Sequence, residues 1–374
     1  MSLTERKHAP YRADIVGSFL RPERLKNARK QYEEGSINRE ALTEVEDNCI
    51  QELVQKELEA GLLAVTDGEY RRSYWHLDFM WGFEGIDHVT MERGYLFQGE
   101  ETRADSARVV GKIRFVDHPF LAHYRFLNGV VGERAIARQT IPAPAQFLAE
   151  LVRGENEQHL NTIYPNREDL FRDLAQAYHD FILALYKEGC RNLQLDDCTW
   201  GMLCDAKYWA TRTNGTASAD ELKKLYIRLN NAAIAELPED LILTTHVCRG
   251  NYHSTWAASG GYAAVAEELF ANENVHAYYL EFDDERSGGF EPLQYLSANK
   301  LVVLGLITTK SPKLEEKAAI IKRIREAEQY VPLDRLCLSP QCGFASTEEG
   351  NKVTEEEQWA KLQLVQEIAK EIWG

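Results

Sequence analysis

The chain has no cysteines spaced CxxC, no GxGxxG run, no internal repeat or low-complexity tract, and no stretch of 18 uninterrupted apolar residues. Each absence excludes something. Without CxxC, thioredoxin-like redox chemistry and zinc-ribbon folds lose their support. A dinucleotide-binding doubly wound sheet would carry a glycine fingerprint after its first strand, where this chain has GSFLRP. With no long apolar run, a membrane span is not expected. Basic residues are scarce, 43 Lys and Arg against 59 Asp and Glu, and the formal net charge of -16 repels nucleic acid and anionic membrane alike. The seven cysteines are an odd number, and the charged N-terminal stretch MSLTERKHAPYRADIVG has no apolar leader. Reduced thiols and a cytoplasmic location are therefore expected.

What is present is an alternation. Eight short apolar runs each end in small or polar residues: ADIVGSF (13–19), LLAVTDGE (62–69), ARQTIPAP (137–144), NLQLDDC (192–198), LILTTHV (241–247), AYYLEFD (277–283), LVVLGLI (301–307) and LCLSPQC (336–342). Between them lie stretches with apolar residues at helical spacing, such as 39–61, 167–189, 219–237 and 314–331. Two of these end in glycine, Gly61 and Gly189, where a helix C-terminus would stop before the next strand. Eight strands apolar enough to be buried on both faces, alternating with helices, specify an α/β protein of the (β/α)8 TIM-barrel type. The segment from about 78 to 136 alternates like a β-hairpin and is expected to be an insertion after strand 2. Nothing resembles a linker, so residues 1–374 are expected to form a single barrel domain.

In such a barrel the chemistry gathers at the C-terminal strand ends. Here those ends are polar: Gly17-Ser18, Asp67-Gly68-Glu69, Asp196-Asp197-Cys198, His246-Val247-Cys248, Glu281, Thr308-Thr309-Lys310 and Cys342. His246 and Cys248, two apart on an extended strand, face the same side. With Glu281 and Cys342 from nearby strands they make an N, S, O, S set suited to tetrahedral Zn2+.

The motifs IVGSFLRP, TDGE, LQLDD, THVCRGN, LEFDDERSGG and LSPQCGF, in this order, resemble the C-terminal catalytic barrel of the cobalamin-independent methionine synthase family. The resemblance spans nearly the whole chain, as a catalytic half without the family's other barrel. It implies a zinc-dependent methyltransferase that methylates homocysteine to methionine from a methyltetrahydropteroylglutamate donor, with His246, Cys248, Glu281 and Cys342 as zinc ligands. It further implies that Ser18 meets the homocysteine carboxylate and that Glu69 and Asp196 meet the amino acid from the acidic side. Where the family supplies a histidine as general acid, this chain reads Lys310-Ser311-Pro312, making Lys310 the candidate proton donor. Arg71, Arg72, Tyr74 and Trp75 are candidates for a pterin ring and its glutamate tail. The lysine keeps two alternatives open: a zinc thiol alkyltransferase using another thiol or electrophile, as in epoxyalkane:coenzyme M transfer, and a non-catalytic zinc or thiol binder. Partners are expected to be small molecules, with homo-oligomerisation left open.

Overall fold

The amphipathic stretches fold as helices for local reasons. Asn38 caps the helix Arg39–Glu59 by accepting from the Ala41 amide, and Asn166 does the same for Arg167–Lys187 through Glu168. Gly61 and Gly189, at φ +80° and +98°, then close the two helices by bending the chain through the left-handed region. In this computed structural model, which describes residues 8–208 and 218–374, such helices lie outside a ring of parallel strands.

The strands are β1 (Ala64–Val65), β2 (Glu84–Thr90), β3 (Asp105–Arg114), β4 (Ile136–Ala137), β5 (Gln139–Pro142), β6 (Asn192–Asp197), β7 (Ile242–Val247), β8 (Ala277–Glu281), β9 (Leu301–Ile307) and β10 (Leu336–Pro340). Strands β5 to β10 form one parallel sheet in chain order, and β1 pairs in parallel with β4. Both faces of the sheet are buried, as the continuous apolar runs require.

The hydrogen-bonded ring is not closed. The run 13–19, expected as strand one, contributes a single bridge, Ala13 to Leu338 of β10. The reason is that side chains take the backbone groups a ladder would use. Asp14 Oδ1 accepts from the Ile15 amide, Arg138 donates to the Ile15 carbonyl at 2.7 Å, Gln194 to that of Val16 at 2.7 Å, and Thr66 to that of Gly17 at 2.5 Å. Strand two likewise shrinks from 62–69 to β1, with the Thr66 amide donating to Glu57 Oε1. Polar packing inside the ring thus does the work of strand pairing on this side.

The insertion is narrower than 78–136. Its hairpin is the antiparallel pair β2 and β3, preceded by the short helix Leu77–Met80 and followed by the helix Pro119–Val131, after which β4 rejoins the ring. No helix among the described residues is long and apolar enough to cross a membrane.

Candidate active site

The strand ends meet as the register demands. Asp196 of β6 pairs with His246 of β7, and Leu280 and Glu281 of β8 pair with Leu304 and Gly305 of β9. His246, Cys248, Glu281 and Cys342 are all buried, and one ligand atom from each lies within 4.8 Å of all the others. The Cys248 and Cys342 sulfurs are 3.8 Å apart.

Hydrogen bonds around the cluster leave the right atoms free. The His246 Nδ1 faces the Tyr279 carbonyl at 3.2 Å, which fixes the proton on Nδ1 and turns a bare Nε2 inward. Nε2 is buried without a partner among the described residues, as is Glu281 Oε1. The other oxygen, Oε2, accepts from the Arg249 amide at 3.1 Å, and the Arg249 guanidinium is held by Tyr262 and the Gly260 carbonyl. Burial alone would raise the Glu281 carboxyl, but Lys310, Arg286, Arg249 and His246 together hold it below its usual range. The Cys342 thiol is pushed well up by its bond to Cys248 and by burial. Two crowded thiols, an ionised carboxylate and a bare imidazole nitrogen, all desolvated, form a donor set that a thiophilic divalent cation would satisfy.

Packing locks this arrangement. A Cβ on Gly201 would sit 2.0 Å from the Cys248 carbonyl oxygen. Gly201→Ala is therefore expected to displace the end of β7, lowering Tm by several degrees and weakening metal retention against a chelator, both measured on the purified variant.

A cavity of about 1010 Å³ opens on the cluster, and Ser18, Glu69, Asp196, His246, Cys248 and Cys342 all line it. Glu69, held at φ +62°, has Oε1 bound by Arg72 and Thr140 while Oε2 is buried without a partner among the described residues. Asp196 is pushed well above the carboxylate range by burial and then by Glu69, so both oppose its ionisation. Ser18 Oγ accepts from the Ala345 amide at 3.3 Å, leaving its O–H able to donate.

Behind Asp196 stands a polar support. Asn230 donates to Asp197 and to Glu273, and burial raises the Glu273 carboxyl to about 8 from an ordinary 4.5. A carboxyl raised on folding is neutral in the native state while the unfolded chain ionises, so stability falls as pH rises from about 4.5 to about 8. Glu273→Gln is expected to melt higher than the parent at pH 8 and no higher at pH 4.5, a comparison that thermal unfolding at the two pH values makes directly.

Two expectations about neighbouring residues need correction or placement. Arg71 is spent on Glu46 and Asp47, and Arg72 on Glu69 and Thr140, so neither buried guanidinium is free for a glutamate tail; Tyr74 and Trp75 do line the cavity. Lys310 is not among the lining residues. It is the leading cationic influence on both Glu281 and Asp283, and its Nζ is buried without a partner among the described residues. The sequence pattern gives no role to Arg249, which follows Cys248 directly, or to the strand-end Cys198, a half-buried thiol at the cavity wall that hydrogen-bonds Cys248.

Residues 12–371 match the family described as cobalamin-independent synthase, catalytic domain. The chain is 46% identical to the uncharacterized protein YxjG of Bacillus subtilis, over 99% of this chain and 96% of that protein. It is 22% identical to a methionine synthase of Saccharolobus solfataricus, over 92% and 94% of the two chains. A Listeria monocytogenes protein, solved as a candidate vitamin-B12 independent methionine synthase, superposes with a TM-score of 0.78 at 38% identity, covering 99% of this chain and all of that one. A B12-independent methionine synthase from a Shewanella species, solved with selenomethionine, gives a TM-score of 0.71 at 18% identity over 96% of each chain, a likeness of fold.

Proposed function

This chain belongs to the cobalamin-independent methionine synthase catalytic-domain family, and from that premise we propose that it is a zinc-dependent S-methyltransferase, converting homocysteine to methionine with a methyltetrahydrofolate-type donor. The observation that carries the reading is that the cluster of His246, Cys248, Glu281 and Cys342 opens, through His246, Cys248 and Cys342, onto the same cavity as Glu69, Asp196 and Ser18. Those four side chains would hold zinc, which when bound allows a thiol to be used as a thiolate at neutral pH.

The remaining residues position the acceptor. An ammonium entering between Glu69 and Asp196 would favour the ionised form of Asp196, which burial and Glu69 oppose in the free protein, and would meet the unpartnered Glu69 oxygen. The Ser18 hydroxyl is free to donate to the amino acid's carboxylate. With both ends fixed, the side-chain sulfur is directed toward the cluster, and positioning of this kind supplies much of the rate in a bimolecular transfer. Lys310, facing Glu281 from outside the cavity, we assign to holding that carboxylate ionised; delivery of a proton to the donor's leaving nitrogen would require it to turn inward.

The reading is tested by incubating zinc-loaded protein with homocysteine and 5-methyltetrahydrofolate in its mono- and triglutamyl forms. Methionine formation that disappears on chelation is expected. No methionine with either donor would refute the reading as stated.

A further inference from the structure

Two groups of the proposed amino-acid subsite sit on parts of the fold that no strand ladder joins. Asp196 lies at the end of β6, whereas Ser18 belongs to the run 13–19, whose one bridge runs from Ala13 to β10. Val16, Ser18 and Asp196 all line the cavity. A side chain makes the connection between them. Gln194 stands two residues before Asp196 on β6, so both side chains leave the same face of the strand. Its Nε2 donates to the Val16 carbonyl at 2.7 Å and to Asp196 Oδ1 at 2.9 Å.

The surroundings of this amide fix its orientation and show what it supplies. Both amide hydrogens meet acceptors, a carbonyl and a carboxylate, which settles which end is nitrogen. Among the described residues no other donor bonds the Asp196 carboxylate, so Gln194 alone orients it from within the protein. Gln194 is fully buried, and its Oε1 has no partner among the described residues. A buried amide oxygen left unsatisfied costs stability that an apolar side chain of the same size would not. The two donated bonds, rather than packing, are what this position contributes.

We propose that Gln194 is a positioning residue for the amino-acid end of the thiol substrate, aiming the Asp196 carboxylate at the ammonium and tying it to the segment that presents Ser18 to the carboxylate. The proposal rests on the assignment of Asp196 and Ser18 made above. An α-amino acid carries both charges on one carbon, so the groups that receive them must keep a fixed separation, and a misplacement of about 1 Å loses much of the contact. Gln194 acts through its two partners and does not touch the substrate.

The test compares homocysteine with 4-mercaptobutyrate, which has the same thiol and carboxylate and no ammonium. Binding of each is measured by equilibrium dialysis with zinc-loaded parent, Gln194→Met, Asp196→Ala and the double variant. Methionine keeps the length of the side chain and removes both donated bonds. Gln194→Met is expected to bind homocysteine roughly tenfold more weakly, the effect of one bond to a charged group. Binding of 4-mercaptobutyrate should change little, because Thr66 and the Phe344 amide still hold the Gly17 and Ser18 carbonyls. Once Asp196 is alanine, adding Gln194→Met should cost homocysteine less than about twofold, since the carboxylate it acts on is gone. Gln194→Asn, one methylene shorter and unable to reach both partners, gives the same comparison where the methionine variant does not fold. Equal losses for the two ligands, loss of zinc from the Gln194 variant, or an undiminished loss in the Asp196→Ala background would mark a merely structural role and overturn the proposal. Weaker homocysteine binding in Asp196→Ala with none in Gln194→Met would overturn it while leaving the ammonium assignment intact. Unchanged homocysteine binding in Asp196→Ala would remove that assignment and the proposal with it.

Discussion

Cys342→Ala is expected to lose zinc during dialysis against a mild chelator while the parent keeps about one equivalent. The cysteine supplies one of four donor atoms grouped within 4.8 Å, from a strand end far in sequence from the other three. Losing a direct ligand should exceed the 10- to 100-fold affinity loss typical of disturbing a supporting partner, so roughly hundredfold weaker binding is a lower bound. His246→Ala should behave alike, because its Nε2 has no other partner among the described residues. Cys198→Ala provides the contrast. It removes a thiol that bonds Cys248 but stands outside the group of four, and it is expected to keep its zinc. Metal analysis of the three variants checks the set, and circular dichroism separates metal loss from unfolding.

The second large effect is expected at Asp196. Replacing it by asparagine removes an acid whose ionisation burial and Glu69 both oppose in the free protein. Homocysteine should bind at least about tenfold more weakly, since a charge-assisted contact in a dry cavity contributes roughly 1.5–3 kcal/mol. The ligand-free variant should also be more stable than the parent. The sign follows from the raised carboxyl: native Asp196 resists ionisation while the unfolded chain does not, so the penalty is absent well below pH 3.8 and grows as pH rises. The gain in Tm should therefore be larger at pH 8 than at pH 4. A change that stabilises the fold while weakening binding marks a residue kept for its ligand. Glu69 is a less clean choice, because its removal also strands the buried Arg72.

The alternation of apolar runs and helical stretches made the barrel readable, and the placement of polar residues at run ends made the cluster readable. His246 and Cys248 declare themselves by their spacing; Glu281 and Cys342 join them only once eight strands are wrapped into a ring. The first strand was harder to read. ADIVGSF has the composition of a strand, yet Asp14, Arg138, Gln194 and Thr66 satisfy or occupy its backbone from the interior, a long-range arrangement that no local pattern encodes. The same limit applies to Arg71 and Arg72, which look like ligand-binding cations in DGEYRRSYW and turn out to be consumed by Glu46, Asp47 and Glu69. His76 falls in this group too. Its hydrogen bonding depends on Tyr95, 19 residues away, and on Glu150 beyond it.

The central proposal is that His246, Cys248, Glu281 and Cys342 would hold a thiophilic metal, to which a substrate sulfur would bind in place of Glu281. Cobalt-substituted protein titrated with homocysteine tests it most directly, because sulfur-to-cobalt charge-transfer absorption reports the number of thiolates on the metal. Absorption consistent with two sulfurs, from Cys248 and Cys342, rising by about half as homocysteine saturates, is the expected result. A spectrum that homocysteine leaves unchanged, at concentrations where dialysis shows it bound, would contradict the account.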